Sequence, residues 1–176
     1  MSLAQRIYTA SHLKGEFLLR SGAESDEYFD KYLFESDPAL LREIAQALVP
    51  LIPDDAEALA GLELGGVPIA TVLSQETGLP ALFVRKRAKD YGTLRLAEGG
   101  EVDGRRLVIV EDVVTTGGQI SESVGELRAR GALITTVLCV IDRESGGVQN
   151  LIERGLELRA LFRMSELNAP RTEGDR

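Results

Sequence analysis

The feature that most constrains this 176-residue chain is a series of short, mostly apolar runs, at residues 58–62, 82–85, 107–110, 134–141 and 156–162. A strand with one wet face alternates apolar and polar side chains, whereas a run that is apolar at every position is buried on both faces. Between the runs lie segments of helix-like composition, at 67–76, 119–130 and 148–154. This alternation predicts an α/β fold: a mostly parallel central sheet flanked by helices. Upstream, 3–14 has helical spacing with Ile7 and Leu13 on one side, and Ser36-Asp37-Pro38 supplies a cap and a first-turn proline for a helix reaching about residue 51. One domain over 1–176 is expected, with a frayed tail from about 168, since a chain of this length buries roughly 70% of its unfolded surface.

Charge and composition narrow the function. With 28 acidic against 20 basic residues the net charge is -8, which disfavours a protein whose task is neutralising a nucleic-acid backbone. No apolar run approaches the roughly 20 residues of a membrane span, and the N-terminus lacks a charged-then-apolar leader, so a cytoplasmic location with no membrane or nucleic-acid partner is expected. Cys139 is the only cysteine and sits in an apolar run, as a small buried hydrophobe does. His12 is the only histidine and lies far from every motif. No His/Cys/Asp cluster suggests a protein-built metal site.

In parallel sheets ligands bind beyond the carboxyl ends of the strands. The residues just after each run are therefore the informative ones: Glu63-Leu64-Gly65-Gly66, 85–91, 111–118, and Asp142-Arg143. In LVIVEDVVTTGGQ, Glu111 and Asp112 close the run and Thr115-Thr116-Gly117-Gly118 precede a helix. Such a loop at a helix N-terminus offers amide donors and partial positive charge to a phosphate, and carboxylates four residues earlier suit sugar hydroxyls or hydrated magnesium. The spacing is neither the G-x-x-x-x-G-K-S/T of a P-loop nor the G-x-G-x-x-G of a dinucleotide fold. A sugar phosphate fits best. Four of the five residues 85–89 are basic, and they lead into a glycine-containing segment, 92–100, with the composition of a cationic cover for an anion.

VIVEDVVTTGG resembles the phosphoribosyl-pyrophosphate motif of type I phosphoribosyltransferases. Arg85-Lys86 through Gly92 is similar to the R-K-x-x-K-x-H/Y-G segment of orotate phosphoribosyltransferases, and 21–31 to their S-G-x-x-S-x-x-Y-F-D segment. Asp142-Arg143 matches their D-R pair. The resemblance runs from about residue 15 to 143. It implies the type I phosphoribosyltransferase fold with a base-binding hood at about 1–35, and transfer of a 5-phosphoribosyl group to orotate in pyrimidine nucleotide synthesis. It implies that Arg85, Lys86, Lys89 and Tyr91 meet the diphosphate with Gly65 and Gly66. Glu111, Asp112, Val113, Val114, Thr115, Thr116, Gly117, Gly118 and Gln119 would hold the ribose 5-phosphate, and Tyr28, Phe29, Thr115 and Arg143 the orotate. Lys89, Arg85 and Asp112 would be catalytic, Mg2+ would arrive with the donor, and a homodimer would share its sites through the lysine-bearing loop.

Three positions depart from the family pattern. Arg20 replaces a lysine before S-G, Gly65 stands where some members have a lysine, and Tyr91 offers no imidazole. Rival readings differ at named residues: a non-catalytic sensor of the donor can lose the basic run, which is intact here, and a purine transferase has no need of Arg143 or the Y-F-D segment. A receiver domain wants an early acidic pair that this chain lacks.

Overall fold

The computed structural model describes residues 1–18, 22–87 and 96–167. Arg20, Lys89, Tyr91 and the tail from 168 lie outside them. Six strands form one sheet in the order β5-β4-β3-β6-β7-β8. These are β3 (Ala58–Leu62), β4 (Ala81–Val84), β5 (Ala97–Glu98), β6 (Arg106–Val114), β7 (Leu133–Asp142) and β8 (Glu157–Arg163). All neighbours pair in parallel except the short edge strand β5, which runs antiparallel to β4 through Phe83↔Glu98 and Val84↔Ala97. The mostly parallel α/β sheet inferred from the apolar runs is therefore present.

Both faces of the sheet are dry. Ala60, Leu62, Ile109, Val137 and Cys139 pack on one side against Ile120, Val124 and Leu127 of α5 (Gly118–Arg128). Leu59, Val108, Val110, Leu138 and Val140 pack on the other against α3 (Pro38–Leu48) and α4 (Gly66–Thr77). Burying such a side chain is worth about 1.5–3 kcal/mol, so the sheet centre is a rigid platform. Among the described residues no helix is long and apolar enough to cross a membrane.

The N-terminal reading needs correction. Helix α1 spans Leu3–Ser11, not 3–14, and the chain then forms a hairpin, β1 (His12–Leu18) with antiparallel β2 (Glu24–Phe29). Leu13 continues the helical spacing, but His12 leaves the helical conformation at φ -82, ψ 113 and its ring pairs with Glu27 across the hairpin at 3.1 Å. After the hairpin comes a short helix, α2 (Lys31–Ser36), capped by the Asp30 carboxylate on Tyr32 N-H.

A second correction concerns the acids. Glu111 and Asp112 do not end the strand; β6 continues through them to Val114, paired with β7 as far as Asp142. Val113 and Val114 supply the apolar positions that keep the ladder going.

Candidate active site

Neighbouring strands β3 and β6 connect outward in opposite directions, β3 to β4 and β6 to β7, so their carboxyl ends flank the point where strand order reverses. A crevice opens there in such sheets. In this chain it is a cavity of about 560 Å³ lined by Tyr28, Lys31, Tyr32, Glu63, Leu64, Lys86, residues 111–120 and Arg143.

Helix α5 begins at this cavity behind Gly117, whereas α4 begins behind Gly65, next to the lining residue Leu64 but with Gly65 and Gly66 outside the lining; neither helix has a side-chain cap. By contrast α1, α2 and α3 are capped by Ser2, Asp30 and Asp37. The first amides of a helix have no intrahelical acceptor, and without a cap they remain available to an anion. Gly117 makes the turn into α5 at φ 73, in the left-handed region that favours glycine. The loop Thr115-Thr116-Gly117-Gly118 thus presents hydroxyls and amides together. A second hollow of about 660 Å³ beside α5, which shares Thr116 and Gly118 with the first, is lined by Glu122, Glu126 and Glu153 with one cation, Arg154, a lining that repels phosphate.

Behind the loop lies a buried cluster of charge. Asp112 is 0% exposed; its Oδ1 accepts Val113 N-H and its Oδ2 lies 2.5 Å from Lys31 Nζ. Glu111 Oε1 accepts Asp112 N-H at 3.0 Å. Burial and then the Asp112 charge push the Glu111 carboxyl well above its usual range. Burial works against the Lys31 ammonium, but the adjacent Asp112 outweighs it and the pKa of Lys31 is raised. Glu35, buried on the same helix as Lys31, is pushed up to about 9, first by burial and then by the Asp112 carboxylate, against the opposing charge of Lys31.

The Glu35 shift has a measurable sign. The folded chain keeps the Glu35 proton up to about pH 9, while the unfolded chain releases it near 4.5, so the folded state binds more protons in that window and its stability falls as pH rises. Glu35→Gln cannot titrate. Its melting temperature is therefore expected to gain on the wild type as pH is raised from about 5 to about 9. Parallel melting curves across that range would show that Glu35 ionises freely.

The two glycines after β3 are small for a steric reason. A Cβ on Gly65 would lie 1.6 Å from Asp112 Oδ2, and one on Gly66 2.1 Å from the Val110 carbonyl. Gly65 has φ -66, open to any residue, so space and not backbone conformation excludes a side chain there.

The remaining sequence-derived residues fall into three groups. Tyr28, Lys86, Arg143 and residues 111–119 line the cavity together. Arg143 is held there by its own N-H on Val114 O at 2.8 Å, and Lys86 by its N-H on Glu63 Oε1 at 3.0 Å. Tyr28 is 43% exposed and stacks on Phe17 of the hairpin at 5.5 Å, leaving its ring beside the cavity. Phe29 and Arg85 do not line the cavity: Phe29 packs on the apolar layer beside the sheet, and Arg85 pairs with Glu98 at 3.3 Å. A partly exposed pair of this kind is worth about 0–1 kcal/mol, little hindrance to the arginine turning toward an anion. Lys89 and Tyr91 lie outside the described residues. Lys31, Glu35 and Tyr32 are site residues that sequence reasoning missed; Lys31 and Glu35 are four apart, the spacing that puts both on one helix face.

Comparison with known proteins agrees with the fold. Residues 34–152 match the phosphoribosyl transferase domain family. An orotate phosphoribosyltransferase from a Nocardioides species is 52% identical over 98% of this chain and 97% of its own. The orotate phosphoribosyltransferase of Mycobacterium tuberculosis H37Rv, solved with Fe(III) dicitrate, superposes with a TM-score of 0.86 at 32% identity, covering 95% of this chain and 97% of that one. The same enzyme solved with 5-phospho-alpha-D-ribosyl 1-diphosphate gives 0.82 at 29%, again over 95% and 97%.

Proposed function

The chain belongs to the phosphoribosyltransferase family, among the orotate phosphoribosyltransferases, and from that premise we propose how its residues divide the reaction. The enzyme moves the 5-phosphoribosyl group of 5-phosphoribosyl 1-diphosphate onto orotate, giving orotidine 5'-monophosphate and diphosphate, a step of pyrimidine nucleotide synthesis. The observation that carries the proposal is that one cavity gathers an uncapped helix N-terminus, two carboxylates of β6, an arginine and an aromatic ring.

The 5-phosphate rests on the amides and hydroxyls of Thr115, Thr116, Gly117, Gly118 and Gln119 at the start of α5. Glu111 and Asp112 address the ribose hydroxyls. The diphosphate lies along Gly65 and Gly66 at the start of α4, with Lys86 beside it and Arg85, Lys89 and Tyr91 closing over it. As the C1-O bond breaks, C1 becomes cationic and the leaving diphosphate gains charge, and cations in a water-poor site stabilise that charge most effectively. The orotate nitrogen then bonds to C1 and gives up its proton, which the departing diphosphate can accept. Tyr28 walls the ring, Phe29 backs it from the apolar layer, and Thr115 and Arg143 hold the polar edge.

Magnesium fits as an ion carried in on the diphosphate. The Asp112 oxygens already face Lys31 and Val113 N-H, and Glu111 Oε1 faces Asp112 N-H, so these carboxylates suit contacts through water better than a protein cage. When bound, the ion offsets the charge of the leaving group. A cytoplasmic homodimer, each subunit lending its lysine-bearing loop to the other's site, completes the proposal; its support is the resemblance of the 85–92 segment.

Arg143 tests the base assignment. A guanidinium clasps a carboxylate through two parallel hydrogen bonds, and a bond to a charged group contributes about 1.5–3 kcal/mol. Arg143→Ala is expected to raise the KM for orotate by roughly 10- to 100-fold with the donor KM nearly unchanged. A rise confined to the donor KM would place Arg143 on the diphosphate instead.

A further inference from the structure

We propose that Lys31 is a positioning residue for the transfer, acting through Asp112: it holds that carboxylate against the Gly65-Gly66 loop and offsets its charge where the donor's diphosphate enters. The proposal rests on reading the cavity as the ribosyl-diphosphate site.

The geometry is specific. Asp112 is 0% exposed, and a buried carboxylate is costly unless a partner compensates it. Its neighbours make matters worse, since Glu35 and Glu111 bring two further carboxyl groups into the same cluster. Lys31 is the cation of that cluster. Its Nζ lies 2.5 Å from Asp112 Oδ2, off the angle of a regular hydrogen bond, so the ammonium acts as a compact point charge. Oδ2 is also the atom that a Cβ on residue 65 would meet at 1.6 Å. One oxygen therefore lies where helix α2, strand β6 and the loop after β3 come together. The lysine stem is 34% exposed along the cavity wall, so its charge reaches the cavity as well as the buried acid.

Without Lys31, Asp112 would stand beside two carboxyl groups with no ammonium, directly under the loop that faces the donor. The carboxylate would turn away or take a proton, and a highly charged donor would meet uncompensated negative charge. The loss should fall on donor binding and not on the base.

The test compares Lys31→Met, Lys31→Gln and Lys31→Arg, alone and with Asp112→Asn, by calorimetric binding of 5-phosphoribosyl 1-diphosphate with Mg2+ in the absence of base, and by steady-state kinetics. Lys31→Met and Lys31→Gln are expected to weaken donor binding by about tenfold or more, with the orotate KM within about twofold, and Lys31→Arg to restore most of the loss. In the Asp112→Asn background Lys31→Met should cost less than about twofold further, because residues acting through one another are not additive. Donor binding within twofold of wild type, a loss confined to orotate, or fully multiplicative effects would each overturn the proposal. Should Lys31→Met not fold, Lys31→Gln against Lys31→Arg decides by the same criteria. A wild type that binds the donor but leaves orotate untouched would refute the base assignment while the Lys31 comparison stands; one that does not bind the donor would remove both.

Discussion

Replacing Lys89 with alanine is expected to lower kcat by about 10²–10³-fold while the KM for orotate stays within about twofold, because a donor aimed at charge that develops in the transition state is worth about that much. The expectation follows from where the basic run starts. Val84 ends β4 next to β3, and Lys86 is fixed at the cavity wall by its amide on Glu63. The described start of the basic run, Arg85-Lys86-Arg87, therefore follows β4 directly, with Lys86 at the cavity proposed for the diphosphate. Charge on the leaving diphosphate is greatest as the C1-O bond breaks, so a cation there lowers the barrier more than it strengthens ground-state binding. Orotate, proposed to contact Tyr28 and Arg143, should not register the change. Equal losses in kcat and in orotate affinity would contradict the assignment of Lys89 to the leaving group.

Gly65→Ala is expected to weaken donor binding by about 100-fold or more and to cost about 1–3 kcal/mol of stability, the usual range for overpacking a filled site. The added methyl would fall 1.6 Å from Asp112 Oδ2 and 2.3 Å from its Cγ. Asp112 cannot readily yield, because Lys31 holds the same oxygen and Val113 N-H the other. Either the loop retreats, moving the α4 amides off the diphosphate, or the carboxylate swings off its lysine. Gly125, in the middle of α5 with nothing within 4 Å of a Cβ, is the control. Gly125→Ala should leave donor binding intact and stabilise by about 0.5–1 kcal/mol. Donor affinity within threefold of wild type in Gly65→Ala would mean that the contact of Asp112 with the loop is irrelevant to binding.

Much of this architecture was legible in the chain because fully buried parallel strands leave an unambiguous trace. The runs at 58–62 and 107–110 fall within β3 and β6, and the alternation with helices pointed to the sheet that holds them. The cavity-lining segment 111–118 also stood out in the sequence, because two acids and, past two valines, T-T-G-G break the apolar pattern. What escaped was the part with weak local pattern. The hairpin strand HLKGEFL is mostly exposed and carries no clean alternation, and Leu13 extends the spacing of α1, so helix and strand were locally indistinguishable. The edge strand β5 has two residues, too few for any period. Lys31 and Glu35 gave no signal of their own, since their significance depends on Asp112, some eighty positions later. For Gly65 the resemblance implied contact with the diphosphate; the structure gives a separate steric cause for the glycine, a carboxylate already occupying the space.

The central claim is that this cavity joins orotate to ribose. Its most direct measurement is the ultraviolet absorbance of orotate on incubation with the protein, 5-phosphoribosyl 1-diphosphate and Mg2+, beside parallel reactions with uracil, adenine and hypoxanthine. Donor-dependent loss of the orotate signal, with orotidine 5'-monophosphate as product and the other bases untouched, is the predicted result. An unchanged orotate signal while one of the other bases is consumed would contradict it.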